Sequence, residues 1–176
     1  YVNAISKKIS GDIFLNSPVV SVSRDSQGVL LHMNDATTKR YDKVSMAMHA
    51  PDALALLEDP SEKEKELLAC FAYKKNHALL HNDTNVLYPD KKSYAAWNYK
   101  TGGKEDAVTL SYWINTLQNL KTDKEYFVSL NETQQIEDVI EEVSYEHPQF
   151  DKHAIQAQSR HEEIDGLMHT HFAGAY

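Results

Sequence analysis

Val44, Met46 and Met48 alternate with Ser45, Ala47 and His49, a period of two that predicts a strand. Pro51 follows at once, and proline suits the first turn of a helix, where a missing amide costs nothing. Ala53, Leu54, Leu56 and Leu57 then line one side of a short helix. A strand turning directly into a helix puts residues 47–51 at the strand's carboxyl end, where open α/β sheets hold their ligands. Upstream, Val2, Ile5 and Ile9 are helically spaced ahead of Gly11. Short extended runs follow at Ile13-Phe14-Leu15, Val19–Val22 and Val29–Met33. Asp25-Ser26-Gln27-Gly28 has the chemistry of a hairpin turn. The first quarter thus reads as a β-meander that ends in the strand-helix unit.

Glu58-Asp59-Pro60 breaks the chain, and Ser61 with Glu64 forms a capping box for a second helix. Leu67, Leu68 and Phe71 are its buried stripe, while Glu62, Lys63, Lys65 and Glu66 form its solvated face. From Tyr73 the pattern changes to aromatic strands: Ala78–His81, Tyr94–Tyr99, Val108–Ile114 and Tyr126–Leu130, with Thr101-Gly102-Gly103 as a turn. These predict an antiparallel or mixed second sheet. Ile136–Tyr145 fits a helix by spacing, yet its end before His147-Pro148 could be extended. Asp151 caps a helix expected to run to about Ile164 and close at Gly166, and Leu167–Ala173 alternates as a final strand. The fold class is α+β: a mixed or antiparallel sheet flanked by helices.

Composition narrows the function. The 176 residues carry 26 acids against 18 bases, a formal charge of −8, which argues against nucleic acid because phosphate binding needs clustered bases. No apolar run approaches the roughly twenty residues of a membrane helix. One cysteine, Cys70, implies a reducing, cytoplasmic setting, and its apolar neighbours predict a buried, inert thiol. The chain opens at Tyr1 without methionine and stops at Tyr176 just past a glycine turn, which reads as an internal segment of a longer protein.

Candidate chemistry is sparse. His77 and His81 are four apart, but HExxH is absent; His161, His169 and His171 read as ordinary polar residues, so no metal site is expected. GxSxG, GxGxxG and GxxxxGK[ST] do not occur. The acid pairs Glu141-Glu142 and Glu162-Glu163 are adjacent and point apart. Trp97, Tyr99, Tyr112 and Trp113 form the sharpest aromatic cluster, open to two readings: core packing, or the wall of an apolar pocket. The residues alone reach an acidic α/β segment without a self-contained active site.

Several phrases carry a resemblance. Asn16-Ser-Pro-Val-Val-Ser-Val22, Asp42-Lys-Val-Ser-Met-Ala-Met-His-Ala50, Ala95-Ala-Trp-Asn-Tyr99 and Ser111-Tyr-Trp-Ile-Asn-Thr-Leu-Gln118 occur in this order, followed by Tyr126-Phe-Val-Ser-Leu-Asn131, Tyr145-Glu-His-Pro148 and Phe172-Ala-Gly-Ala-Tyr176. Together they resemble the middle part of an NAD/FAD-binding oxidoreductase of the flavin-containing amine oxidase superfamily, from end to end of the chain. The resemblance implies an FAD site completed by segments on either side, with a substrate-binding domain between. By position, Val19 matches the valine whose backbone meets adenine. Ala47 and His49 match the strand-end turn near the cofactor, although His49 stands where many relatives carry proline. Gly174 and Ala175 match the glycine turn approaching the FAD diphosphate and ribityl chain. No catalytic residue is assigned.

The resulting expectation is a fragment of an FAD-dependent, amine oxidase-like oxidoreductase. Residues 1–50 would be partial FAD-binding-domain strands, 51–165 the substrate-binding domain and 166–176 the return strand. Trp97, Tyr99, Tyr112 and Trp113 would be pocket walls for a small-molecule or lipid-like substrate. FAD would belong to the full-length parent and not be retained by the fragment, and exposed strand edges would favour a homodimer. The rival is a non-catalytic lipid- or protein-binding module with a vestigial flavin fold.

Overall fold

The computed structural model describes residues 1–101 and 109–176, so the expected Gly102-Gly103 turn and Val108 lie outside the described residues. Two compact units are present, Tyr1–Ala72 with Pro148–Tyr176, and Tyr73–His147.

The first unit begins with α1 (Val2–Ser6), which stops short of Ile9 and buries none of its residues. The Ile13-Phe14-Leu15 run forms no strand; the Phe14 ring instead lies 3.8 Å from the Lys39 ammonium. Strands β1 (Val19–Asp25), β2 (Gly28–Met33) and β3 (Thr38–Tyr41) make the antiparallel meander. Asp25 pairs with Gly28 across the expected hairpin turn. Gly28 has φ +131°, and a side chain there would run into the Tyr41 carbonyl, so only glycine fits. The polar strand β3 carries no apolar alternation. Its pairing with β2 places it, and Arg40 grips Asp25 through two bonds of 2.9 and 2.8 Å.

Strand β4 (Val44–Met46) turns into α2 (Ala50–Leu56), with Pro51 at the second helical position rather than the first. Helix α3 (Glu62–Leu68) carries both bonds of the Ser61/Glu64 capping box, and Leu67, Leu68 and Phe71 are buried as the spacing requires. Glu64 is buried with them. Its carboxylate meets Arg24 of β1 at 2.6 and 3.0 Å, and Arg24 also reaches Asp59 at 3.0 Å. Cys70 is half-buried, its thiol donating to the Glu66 carbonyl.

The second unit is a five-stranded sheet of β5 (Ala72–His81), β6 (Trp97–Lys100), β7 (Thr109–Trp113), β8 (Phe127–Leu130) and β9 (Val139–Gln149), in the order β6-β7-β8-β5-β9. A single turn, α4 (Ile114–Leu117), follows β7. Of the ambiguous Ile136–Tyr145 stretch, the part from Val139 onward becomes strand: β9 lies at the sheet edge and runs through Pro148, where a missing donor is tolerated. Val86, Leu87 and Phe127 form a core, packed by Tyr94, Trp113 and Ile136.

The chain then returns to the first unit. Asp151 caps α5 (Lys152–Gln158) by accepting from the Ala154 amide. The helix ends at Gln158 instead of Ile164, and a 3-10 turn at His161–Glu163 takes over. Gly166 follows at φ +78°, and Leu167–His169 form a second 3-10 turn, so the final strand β10 is only Thr170–Phe172. β10 pairs parallel with β4, Thr170 opposite Val44 and Phe172 opposite Met46. The fold is α+β, with antiparallel pairing among β1–β3 and among β5–β8 and a parallel pairing of β4 with β10.

Candidate functional site

Because β4 and β10 are parallel and in register, their carboxyl ends emerge side by side. The Ala173 amide donates to the Met46 carbonyl at 3.1 Å and carries the pairing one residue past the strand. At Gly174 a β-carbon would collide with the Met48 carbonyl and with the Tyr176 ring. Only glycine lets the two turns approach this closely. Ala47 and Ala175 are exposed, and their single methyl groups leave the neighbouring backbone open to an incoming group. His49 is the N-cap of α2; its Nδ1 lies 3.6 Å from an Asp52 oxygen. Four of the residues singled out from sequence, Ala47, His49, Gly174 and Ala175, therefore share one strand-end turn pair. Beside it a cleft of about 410 Å³ is lined by Phe71, Gln158, His161, Phe172, Gly174 and Tyr176. Val19 belongs to a different sheet. It opens β1 opposite Met33, where the ladder slips between Val19 and Ser21 and leaves a bulge.

The aromatic candidates divide by strand alternation. Trp97 and Tyr112 are direct cross-strand partners, their rings edge-to-face with centroids 5.4 Å apart. Tyr99, two residues along β6, shares that face. Trp97 and Tyr99 are 64% and 60% exposed. Tyr112 is half-buried, and burial raises its phenol above the usual tyrosine value. Trp113 points to the opposite face. Its ring meets Tyr94 edge-on at 5.7 Å, and its indole N–H donates to Glu125 at 2.6 Å. Three of the four aromatics thus form one surface, and the fourth belongs to the core.

On the core face lies a polar ladder with no counterpart in the motif search. His81 Nδ1 accepts from the Asp83 backbone amide at 3.2 Å, so the neutral ring carries its proton on Nε2. Nε2 then donates to Ser129 Oγ at 2.8 Å, and Ser129 lies 2.7 Å from Ser111 Oγ. A ring already protonated on Nε2 cannot accept the Ser129 proton, so the trio is not a nucleophile-base pair. The other paired histidines are dispersed: His77 faces Glu142 at 2.7 Å on the surface, and His169 sits in a turn at φ +62°. His169 and His171 therefore do not share a strand face.

The family model described as "Flavin containing amine oxidoreductase" matches residues 1–176. The chain belongs to this flavin-containing amine oxidoreductase family. No curated protein sequence matches it. Solved structures similar to it include the CLA-producing fatty acid isomerase from P. acnes, at TM-score 0.65 and 13% identity, with 98% of this chain and 45% of that chain covered. A double mutant of putrescine oxidase, described as a redesign of cofactor binding, gives 0.62 and 12%, covering 97% and 45%. Cyclohexylamine oxidase from Brevibacterium oxydans IH-35A gives 0.54 and 12%, covering 92% and 43%. At these identities the likeness establishes the fold. The chain spans less than half the length of each of these neighbours. Among the described residues no helix is long and apolar enough to cross a membrane.

The structure of this family member adds residues that no motif marked. Asp165 Oδ1 accepts from the Phe172 amide at 3.0 Å, and Oδ2 meets His171 Nδ1 at 3.0 Å. The His171 contact holds the Asp165 carboxyl below the usual aspartate range. His161 Nε2 donates to the Phe172 carbonyl at 3.1 Å. The local signal for this turn was the Asp165-Gly166 pair, which has turn chemistry of its own.

Proposed function

We propose that this chain supplies part of the cofactor cradle and the substrate-facing sheet of an FAD-dependent oxidoreductase. The carrying observation is the paired turn at the ends of β4 and β10, where Gly174 meets the Met48 carbonyl too closely for any side chain. Strand ends in open α/β folds are where such cofactors sit. The residues fit the group. The exposed, small Ala47 and Ala175 leave backbone accessible to an extended phosphate-bearing chain, Gly174 lets the two turns that carry them approach closely, and the bulge after Val19 interrupts the ladder where an adenine ring would meet backbone. When bound, FAD would take a hydride from a C–H bond, including one on a carbon attached to nitrogen; the protein's part is to bind, orient and exclude water.

The first unit is read as the FAD-binding part. The compact unit Tyr73–His147 supports a substrate-binding part narrower than residues 51–165. On it Trp97, Tyr99 and Tyr112 would present the apolar surface, with Trp113 anchoring the sheet from its core side. The open aromatic face also favours a second reading, a lipid- or protein-binding module. The full-length protein, purified and titrated with FAD, decides between them. A flavin absorption band that bleaches anaerobically with a reductant is the expected result; a colourless protein that takes up no FAD would leave the binding module ahead. Residues 1–176 alone are expected to hold FAD weakly, because they contain no glycine-rich diphosphate loop.

A further inference from the structure

The outer edge of β10 is not bare. In a strand the N–H and C=O of one residue point the same way, and those of the next residue point oppositely. The Ala173 amide faces β4, so Phe172 and Thr170 direct their backbone groups away from it. Every one of the outward groups recorded is taken by the preceding segment. The Thr170 carbonyl accepts from the Gly166 amide at 2.7 Å. The Phe172 amide donates to Asp165, and the Phe172 carbonyl accepts from His161. A carbonyl oxygen can only accept, so His161 carries its proton on Nε2. Residues 161–166 thus act as a substitute strand, made largely of side chains. Gly166 allows it: at φ +78° it reverses the chain, and a β-carbon there would press on the His171 ring at 3.3 Å.

We propose that His161 and Asp165 are positioning residues that brace Phe172 from its outer side and so hold Ala173-Gly174 against the Met48 turn in the geometry the cofactor needs. This rests on the flavin reading of that turn. A strand of three residues has little ladder of its own, and beyond Phe172 the Ala173-to-Met46 bond continues the pairing into the turn. With either brace removed, the last residue of β10 exposes an unpaired polar group. The chain can then rotate at the point from which Gly174 is delivered.

The test uses the full-length protein. FAD affinity is measured by flavin fluorescence titration, and the thermal midpoint of the apoprotein is measured in parallel. His161→Leu removes one bond to Phe172 and is expected to weaken FAD binding about ten-fold, the value of one such bond; Asp165→Leu, which removes the His171 contact as well, is expected to weaken it at least as much. Asp165→Asn keeps an acceptor for the Phe172 amide, and His161→Gln keeps a donor for its carbonyl; both are expected to restore affinity to within about two-fold. Leucine variants that fold and bind FAD as the wild type does, with only the thermal midpoint lowered, would overturn the brace and leave the flavin reading intact. A wild type that binds no FAD would overturn both. Should the leucine variants not fold, amide exchange on the wild-type apoprotein decides: protected Phe172 and Ala173 amides support the brace, and unprotected ones overturn it.

Discussion

Arg24 is buried and bonds to three other segments of the first unit. Its side chain is 0% exposed and that of Glu64 is 2%. Burial pushes the Glu64 carboxyl up, but the Arg24 guanidinium and the Ser61 amide more than offset it and hold Glu64 below the usual range. The same guanidinium reaches Asp59, its backbone carbonyl and Thr170, so one side chain links β1, the α2–α3 connection, α3 and β10. Removing one member of such a pair costs more than the pair contributes, because a charge remains buried without its partner. Arg24→Met is expected to destabilise the protein by about 3–5 kcal/mol in urea unfolding, and Arg24→Met with Glu64→Leu by clearly less. A double variant as unstable as the single one would show that packing, not charge, is at stake. Nothing in the local pattern marked this: Arg24 falls between the expected Val19–Val22 strand and the Asp25–Gly28 turn, and Glu64 reads only as the partner of Ser61 in the capping box.

At the scale of elements, the five-stranded sheet is organised by its two faces. Strand alternation placed Trp97, Tyr99 and Tyr112 together and sent Trp113 to the other side, a division the sequence spacing already contains once the β6–β7 register is known. The His81–Ser129–Ser111 ladder joins β5, β8 and β7 across the core face. Ser129→Ala leaves both neighbours short of a partner in a buried setting and is expected to cost about 1–3 kcal/mol, read as a lower urea midpoint with an unchanged slope. Ser129→Thr, which keeps the hydroxyl, is expected to cost less. An alanine variant as stable as the wild type would mean that the ladder adds nothing to sheet stability. β3 and β9 show the limit of local pattern. Thr38–Tyr41 becomes a strand because β2 offers an edge, and Ile136–Tyr145 has helical spacing yet from Val139 extends along β5.

In the acid range the shifted carboxylates and His81 pull one way. Asp25 is lowered to about 2 by Arg40, and Glu163 to about 2 by Arg160 and then Lys63. Glu64 and Asp165 are lowered as well, and burial lowers His81 against the pull of Asp83. Each of these groups binds its proton more readily unfolded than folded, so stability falls as pH falls. For His81 the loss begins below the ordinary histidine value near 6.5. For the carboxylates it runs from the ordinary range near 4 down through about 2. Acidification also relieves the formal charge of −8, which acts oppositely, but at 0.15 M salt that repulsion is screened over about 8 Å. Urea midpoints are therefore expected to decline from pH 7 to 5 and more steeply below 4. A midpoint that rises on acidification over this range would show that charge relief outweighs the paired carboxylates.

The sequence by itself determined the local decisions: the hairpin at Asp25–Gly28, the Ser61/Glu64 box, the β4-to-α2 turn and the Asp151 cap. Each depends on the backbone preferences of a few adjacent residues, which tertiary context leaves unchanged. It also carried the family, through phrases spread along the chain. Only the tertiary structure decided that β10 would lie parallel to β4, that Glu64 would turn inward to Arg24, and that His161 and Asp165 would close on Phe172. These join residues tens to more than a hundred positions apart or hang on a turn that ends a helix early. Their energies come from burial and from directional bonds that exist only once the partners have been brought together.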